Sequence, residues 1–136
     1  MSEQLQGSAD AIRRRSNAVE AFYATGHRLL SNDRFADAAC VYRTMVTCAP
    51  HDERSWLGLG ACHEALGQLE LALQLYTTGR VLSRGGGRCE LARSRLFRAF
   101  GDVEQAEEAT QRARRCALST DDDELLAIVR VEEGLS

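Results

Sequence analysis

Residues 56–79, WLGLGACHEALGQLELALQLYTTG, decide how this chain folds. They alternate large and small side chains at helical spacing, with Trp56, Leu59 and Tyr76 set against Gly60, Ala72 and Gly79 and a break at Gly67. That arrangement predicts two antiparallel helices joined by a short turn, because the small residues let the two backbones approach and the large ones fill the space around them. A single hairpin of this kind cannot bury its apolar face alone, so the flanks should repeat the pattern.

They do, at a period of 34 residues. Stepping back by one period reaches Phe22, Gly26, Leu29, Ala38, Tyr42 and Pro50, with Asp33 in the place of the turn glycine. Stepping forward reaches Phe97, Gly101, Ala106 and Ala113, with Glu90, Ser94 and Thr110 at the other signature positions. The period and the Trp, Gly, Ala and Tyr offsets are those of the tetratricopeptide helix–turn–helix. The expected fold is all-α, with three tetratricopeptide repeats at about 19–52, 53–86 and 87–120 stacked as a short right-handed superhelix. Residues 1–18 are expected as an N-terminal extension, partly disordered or helix-extending, and 121–136 as a C-terminal capping helix.

Composition agrees with a small helical domain. The chain has 136 residues, 44% of them apolar, one proline and a formal net charge of −3. Nothing in that balance points to nucleic acid or a membrane, and no apolar run approaches the roughly 18 residues of a membrane span. The charge is unevenly placed. Residues 80–98 hold six arginines against Glu90, whereas 117–136 hold six acids against Arg130. Cys40, Cys48, Cys62, Cys89 and Cys116 contain no CxxC pair and suit a reducing cytosol, with packing favoured over redox or metal roles. Cys48 and Cys116 share one repeat position, where a small buried residue is expected.

Along the chain, the first firm helix is expected from about Val19 to Ser31 and turns at Asn32-Asp33-Arg34. Asp52 is placed to cap the helix that follows it. Ser83-Arg84-Gly85-Gly86-Gly87 reads either as an ordinary long turn or as a soft joint that lets the third repeat tilt. Thr120, followed by Asp121, Asp122, Asp123 and Glu124, reads as the cap of the last helix.

In such a stack the first helices of successive repeats line a concave face that can hold an extended peptide or a helix. The register assigns Tyr23, His27 and Leu30 to that groove from the first repeat, Leu57, Ala61 and Glu64 from the second, and Leu91, Arg95 and Arg98 from the third. The groove is then apolar at one end and basic at the other. Leu57 and Leu91 could instead be inter-helix packing, and Arg95 and Arg98 solvated. Enzymatic chemistry has no footing: His27, His51 and His63 do not cluster, no GxSxG, HExxH or phosphate loop occurs, and no metal or cofactor is expected.

The segment Asp52-x-Arg54-x-Trp56-Leu57-Gly58-Leu59-Gly60-Ala61-Cys62, followed by Ala65-x-Gly67-Gln68, resembles the class II chaperones of bacterial type III secretion. The resemblance covers residues 22–82 well and 83–117 loosely. It implies a cytoplasmic, non-enzymatic chaperone of a Gram-negative bacterium whose partners are hydrophobic translocator proteins, held through an extended segment with proline and leucine anchors. It also implies aromatic groove or packing roles for Tyr23, Phe35 and Tyr76. Leu30 stands in place of an aromatic, Ser55 where phenylalanine is frequent, and Gly87 where proline is typical. Some members also bind a transcriptional activator or form homodimers, and both stay open here, as do two alternatives: a needle-subunit co-chaperone and a generic interaction scaffold.

Overall fold

A computed structural model describes residues 2–134, and among them are seven helices and no strand. These are α1 (Ser2–Ser31), α2 (Phe35–Cys48), α3 (Glu53–Ala65), α4 (Leu69–Leu82), α5 (Gly87–Ala99), α6 (Val103–Ser119) and α7 (Asp123–Gly134). Three tetratricopeptide hairpins, α1/α2, α3/α4 and α5/α6, stack in sequence, and α7 packs on α6 and α5 at the open end. Their turns fall 34 residues apart, at Asp33, Gly67 and Gly101, with φ of 61°, 78° and 81°. Asp33 serves in the first turn because a short polar side chain tolerates the left-handed conformation better than most.

Helix α1 begins at Ser2 rather than near Val19. Its first half is rich in Glu, Gln, Ala and Arg, contains no proline, and carries an Asp10–Arg13 pair of 2.9 Å, all of which favour helix without tertiary help. Every side chain from residue 2 to 18 is exposed except the half-buried Asp10.

Two tyrosines organise the core. The Tyr42 ring, 2% exposed, lies beneath both Gly26 and Gly58, and a Cβ built at Gly58 would come within 2.1 Å of it. Tyr76 sits in the same way beneath Gly60, where a Cβ would fall 2.3 Å from the ring. Trp56 packs against Gly79 and donates from Nε1 to the Pro50 carbonyl at 2.7 Å, which ties the start of α3 to the preceding loop. Cys62 and Cys89 are fully buried, and burial raises the Cys62 thiol to about 11. Cys48 and Cys116 are only half-buried, because their positions near the ends of α2 and α6 lie at the rim of the stack.

Aspartates start three of the helices. Asp52 accepts from Arg54 N–H at 3.0 Å and Asp102 from Gln105 N–H at 3.1 Å. Asp122, not Thr120, caps α7, accepting from Leu125 N–H at 2.9 Å. Thr120 instead ends α6, its hydroxyl donating to the Cys116 carbonyl, and Asp121 makes the left-handed step between the helices.

The glycine-rich turn is tightly used. Gly86 and Gly87 are buried, and a Cβ at Gly86, whose φ is 74°, would lie 2.7 Å from the Arg80 carbonyl. Arg84 N–H also donates to the His51 carbonyl at 3.1 Å. The soft-joint reading therefore gives way to a close-packed turn. With no capping side chain at Gly86, the α5 N–H groups of Arg88 and Cys89 donate to the Glu53 carboxylate across the repeat boundary, at 3.2 and 3.3 Å.

That cap has a pH signature. Burial pushes Glu53 above the usual carboxylate range, whereas hydrogen bonds from Arg54 and Arg88 hold Asp52 and Asp122 below it. A raised carboxyl contributes stability that is present at low pH and lost as pH rises through its folded value. The lowered pair contributes stability that is present above about 4 and lost as pH falls through their folded values. Thermal stability is therefore expected to rise slightly as pH falls toward about 4.5, the ordinary value of a glutamate, and to fall below about 4. Circular-dichroism melts of Glu53→Gln should lose the rise and keep the fall; an unchanged rise would contradict the assignment.

The uneven charge of the sequence is resolved within the fold. Arg88 pairs with Asp122 at 2.7 Å, Arg95 with Glu132 at 2.9 Å and Arg114 with Glu133, so acids of the C-terminal segment meet arginines of the third hairpin. Arg80 and Arg93 both reach Glu90. Beneath the ion pairs, Leu125 and Val129 of α7 bury against Leu91, Ala113 and Ala117.

Candidate peptide-binding groove

Helices α1, α3 and α5 lie side by side, and their inner positions line two chambers that share Leu57 and Ala61. The first chamber, about 200 Å³, takes Tyr23, His27 and Leu30 from α1 and has Tyr42 and Gly58 among its walls. The second, about 400 Å³, takes Glu64 from α3 and Leu91 and Arg95 from α5. The α1, α3 and α5 residues among these lie at the register positions read from the sequence except Gly58, which with Tyr42 of α2 forms the packing layer behind them.

Within the first chamber, Tyr23 and His27 are neighbouring rings, 6.0 Å apart and tilted by 42°. Arg54 lies over the Tyr23 ring at 4.5 Å and is fixed there by two carboxylates. It donates to both Glu20 oxygens at 2.7 and 3.0 Å and to Asp52 at 2.8 Å. In the sequence Arg54 stands out only as part of the Asp52-x-Arg54-x-Trp56 stretch. Its signal was present, since Glu20, Arg54 and Arg88 stand 34 residues apart and Arg54 bridges its own repeat to the previous one.

In the second chamber Tyr76 is buried, and its hydroxyl donates to Glu64 at 3.4 Å. Leu91 is only 3% exposed, because α7 packs over it and brings Ile128 to the chamber wall. The basic end expected of the groove is moderated by α7, whose Glu132 pairs with Arg95 and lies 3.8 Å from Arg98. Arg98 does not join the other groove residues; it lines a separate cleft with Glu107 and Glu133. Phe35 opens α2, is half-buried and lines neither chamber. Ser55 is fully buried, its hydroxyl donating to the Ala49 carbonyl at 3.0 Å, so it shapes the inter-repeat loop rather than a groove pocket.

A larger cleft of about 770 Å³ opens among Arg15, Cys48, His51, Asp52, Glu53 and Arg84. It shares no lining residue with the two chambers, and its charged walls do not suit an apolar segment.

Three stacked tetratricopeptide hairpins leave a concave groove along α1, α3 and α5, and in this fold the chain is similar to the translocator chaperones of type III secretion. The translocator chaperone SycD of Yersinia enterocolitica superposes with a TM-score of 0.78 at 24% identity, over 89% of this chain and 91% of that one. PcrH of Pseudomonas aeruginosa, solved with the chaperone-binding region of PopB, superposes with a TM-score of 0.73 at 28% identity, over 85% of this chain and 94% of that one. The low calcium response locus protein H of Yersinia pestis is 27% identical over 92 residues, 68% of this chain and 55% of that protein. The chain thus spans little more than half the length of the curated relatives it matches. No protein-family model matches it.

Proposed function

We propose that this protein is a cytoplasmic chaperone of type III secretion that holds an extended, apolar segment of a hydrophobic translocator in its concave groove and acts without enzymatic chemistry. The observation that carries the reading is the pair of chambers joined at Leu57 and Ala61, which offers adjacent seats for side chains of one extended strand. Support comes from PcrH, whose solved complexes hold the chaperone-binding regions of PopB and PopD. The working units are residues 19–52, 53–86 and 87–120, with α7 as the cap and residues 2–18 prolonging the first helix. Among the described residues no helix is long and apolar enough to cross a membrane.

Seating one leucine-sized anchor contributes about 1.5–3 kcal/mol, so two or three anchors support micromolar binding after the cost of ordering the chain. Holding the segment keeps a membrane-seeking partner from aggregating, since whatever binds one state shifts the population toward it. Affinity capture of the tagged chain from its own host, followed by mass spectrometry after a salt wash, is expected to recover a large protein with apolar, membrane-seeking segments. Recovery of a short helical subunit together with a second small chaperone would overturn the reading in favour of a needle-subunit role.

A further inference from the structure

The second chamber carries polar groups that an apolar groove does not need. Arg95 stands on its rim with a side chain 57% exposed, and its Nε donates to Glu132 of α7 at 2.9 Å. Its terminal amino groups make no hydrogen bond among the described residues, so four of the five guanidinium N–H donors are available. On α3, Glu64 receives the Tyr76 hydroxyl on Oε1, and its Oε2 has no partner among the described residues. Tyr76 joins the two. Burial raises its phenol, the Glu64 charge raises it further and Arg95 opposes the rise, so both charges act on that hydroxyl.

Which ligand group suits such a wall follows from charge. A cationic side chain would meet Arg95 and Arg88, and an anionic one would meet Glu64 and Glu132. A neutral dipole with an acceptor on one side and a donor on the other meets neither objection. The peptide unit of an extended chain is such a dipole, and its C=O and N–H both require partners once they are withdrawn from water.

We propose that Glu64, Tyr76 and Arg95 form a main-chain recognition subsite, in which Arg95 donates to a backbone carbonyl and Glu64 accepts from a backbone N–H of the bound segment. Glu132 is the positioning residue that holds Arg95 at its Nε and leaves the fork free. This rests on the groove reading above. Both chambers seat side chains, and on the wall of the second this subsite adds a hold on the backbone that does not depend on sequence.

The test replaces single backbone amides of a peptide by esters, which removes one N–H and weakens one carbonyl without changing a side chain. Peptides covering the chaperone-binding regions of PopB and PopD serve as probes, read by fluorescence anisotropy. At one or two adjacent positions the ester is expected to cost about tenfold in affinity for the wild-type protein and less than twofold for Glu64→Ala or Arg95→Ala. Arg95→Lys, which keeps the charge and loses the fork, should not restore the effect. Because Glu64 and Arg95 are exposed, circular dichroism should show all three variants folded. Binding with no ester position coupled to Glu64 or Arg95 would overturn the subsite and leave the groove standing. Failure of both probes to bind the wild-type protein would remove the groove reading and the subsite together.

Discussion

Gly58→Ala is expected to destabilise the fold by about 2 kcal/mol, even though it replaces glycine by the best helix former. The added Cβ would lie 2.1 Å from Cε1 of Tyr42 and 2.3 Å from two further ring atoms. Tyr42 cannot withdraw, because its ring is 2% exposed and Gly26 already lies against its other contacts. Overpacking of this severity costs about 3 kcal/mol, and the gain in helix propensity returns about 1. In a domain of this size the melting temperature should fall by roughly 8 °C. Gly7→Ala is the internal control. It lies in α1 with nothing within 4 Å of its would-be Cβ, so it should be neutral or stabilising by up to about 1 kcal/mol. Urea melts of both variants, and of Gly58→Ala combined with Tyr42→Leu, measure the clash directly. Equal stabilities for Gly58→Ala and Gly7→Ala would show that the close approach of α2 and α3 does not hold the first two repeats together.

Leu57→Arg should abolish partner binding, with at least a hundredfold loss of affinity, while helical content stays unchanged. Leu57 is half-buried in the wall common to both chambers, so one substitution damages two seats. It removes the contact surface of a leucine, and it brings a fourth guanidinium into walls that already hold Arg54 in one chamber and Arg88 and Arg95 in the other. Loss of apolar contact contributes about 1.5–3 kcal/mol, and an unpaired charge against an apolar ligand adds a comparable penalty. Tyr23→Ala, confined to the first chamber, should have the smaller effect. The readout is the fraction of captured partner that stays in solution, beside far-ultraviolet circular dichroism of the chaperone alone. Retained solubilisation by Leu57→Arg would sink the groove assignment.

Much of this arrangement is legible in the 34-residue period, and the places where legibility ends are specific. Three register columns, 23/57/91, 27/61/95 and 30/64/98, follow from the signature residues alone. In α1 and α3 they reach the chambers, because α7 packs on α5 and α6 and on neither of those helices. In α5 the columns are altered by α7. Burial of Leu125 and Val129 covers Leu91, and the Glu132 pair reshapes the setting of Arg95 and Arg98. The charge blocks that cause this are plain in the sequence as an excess of arginine followed by an excess of acid. Which acid meets which arginine is decided by where α7 docks, and no local pattern states that. Asp122 displaced Thr120 as the cap for a related reason, since Asp121 takes the left-handed step that starts α7 two residues later. Gly86 and Gly87 looked flexible for want of side chains, yet their bareness is what lets Arg80, Cys116 and Leu125 close over them.

The central claim is that the concave face carries the partner, and site-specific photocrosslinking tests it most directly. A diazirine-bearing amino acid placed at Ala61, where the chambers meet, is compared in the native host with one at Leu71, which is exposed and lines neither chamber. Adducts are expected from position 61 to an apolar, extended stretch of a single membrane-seeking protein, lost when Leu57→Arg is added, with none from position 71. Adducts from position 71 and none from 61 would contradict the account.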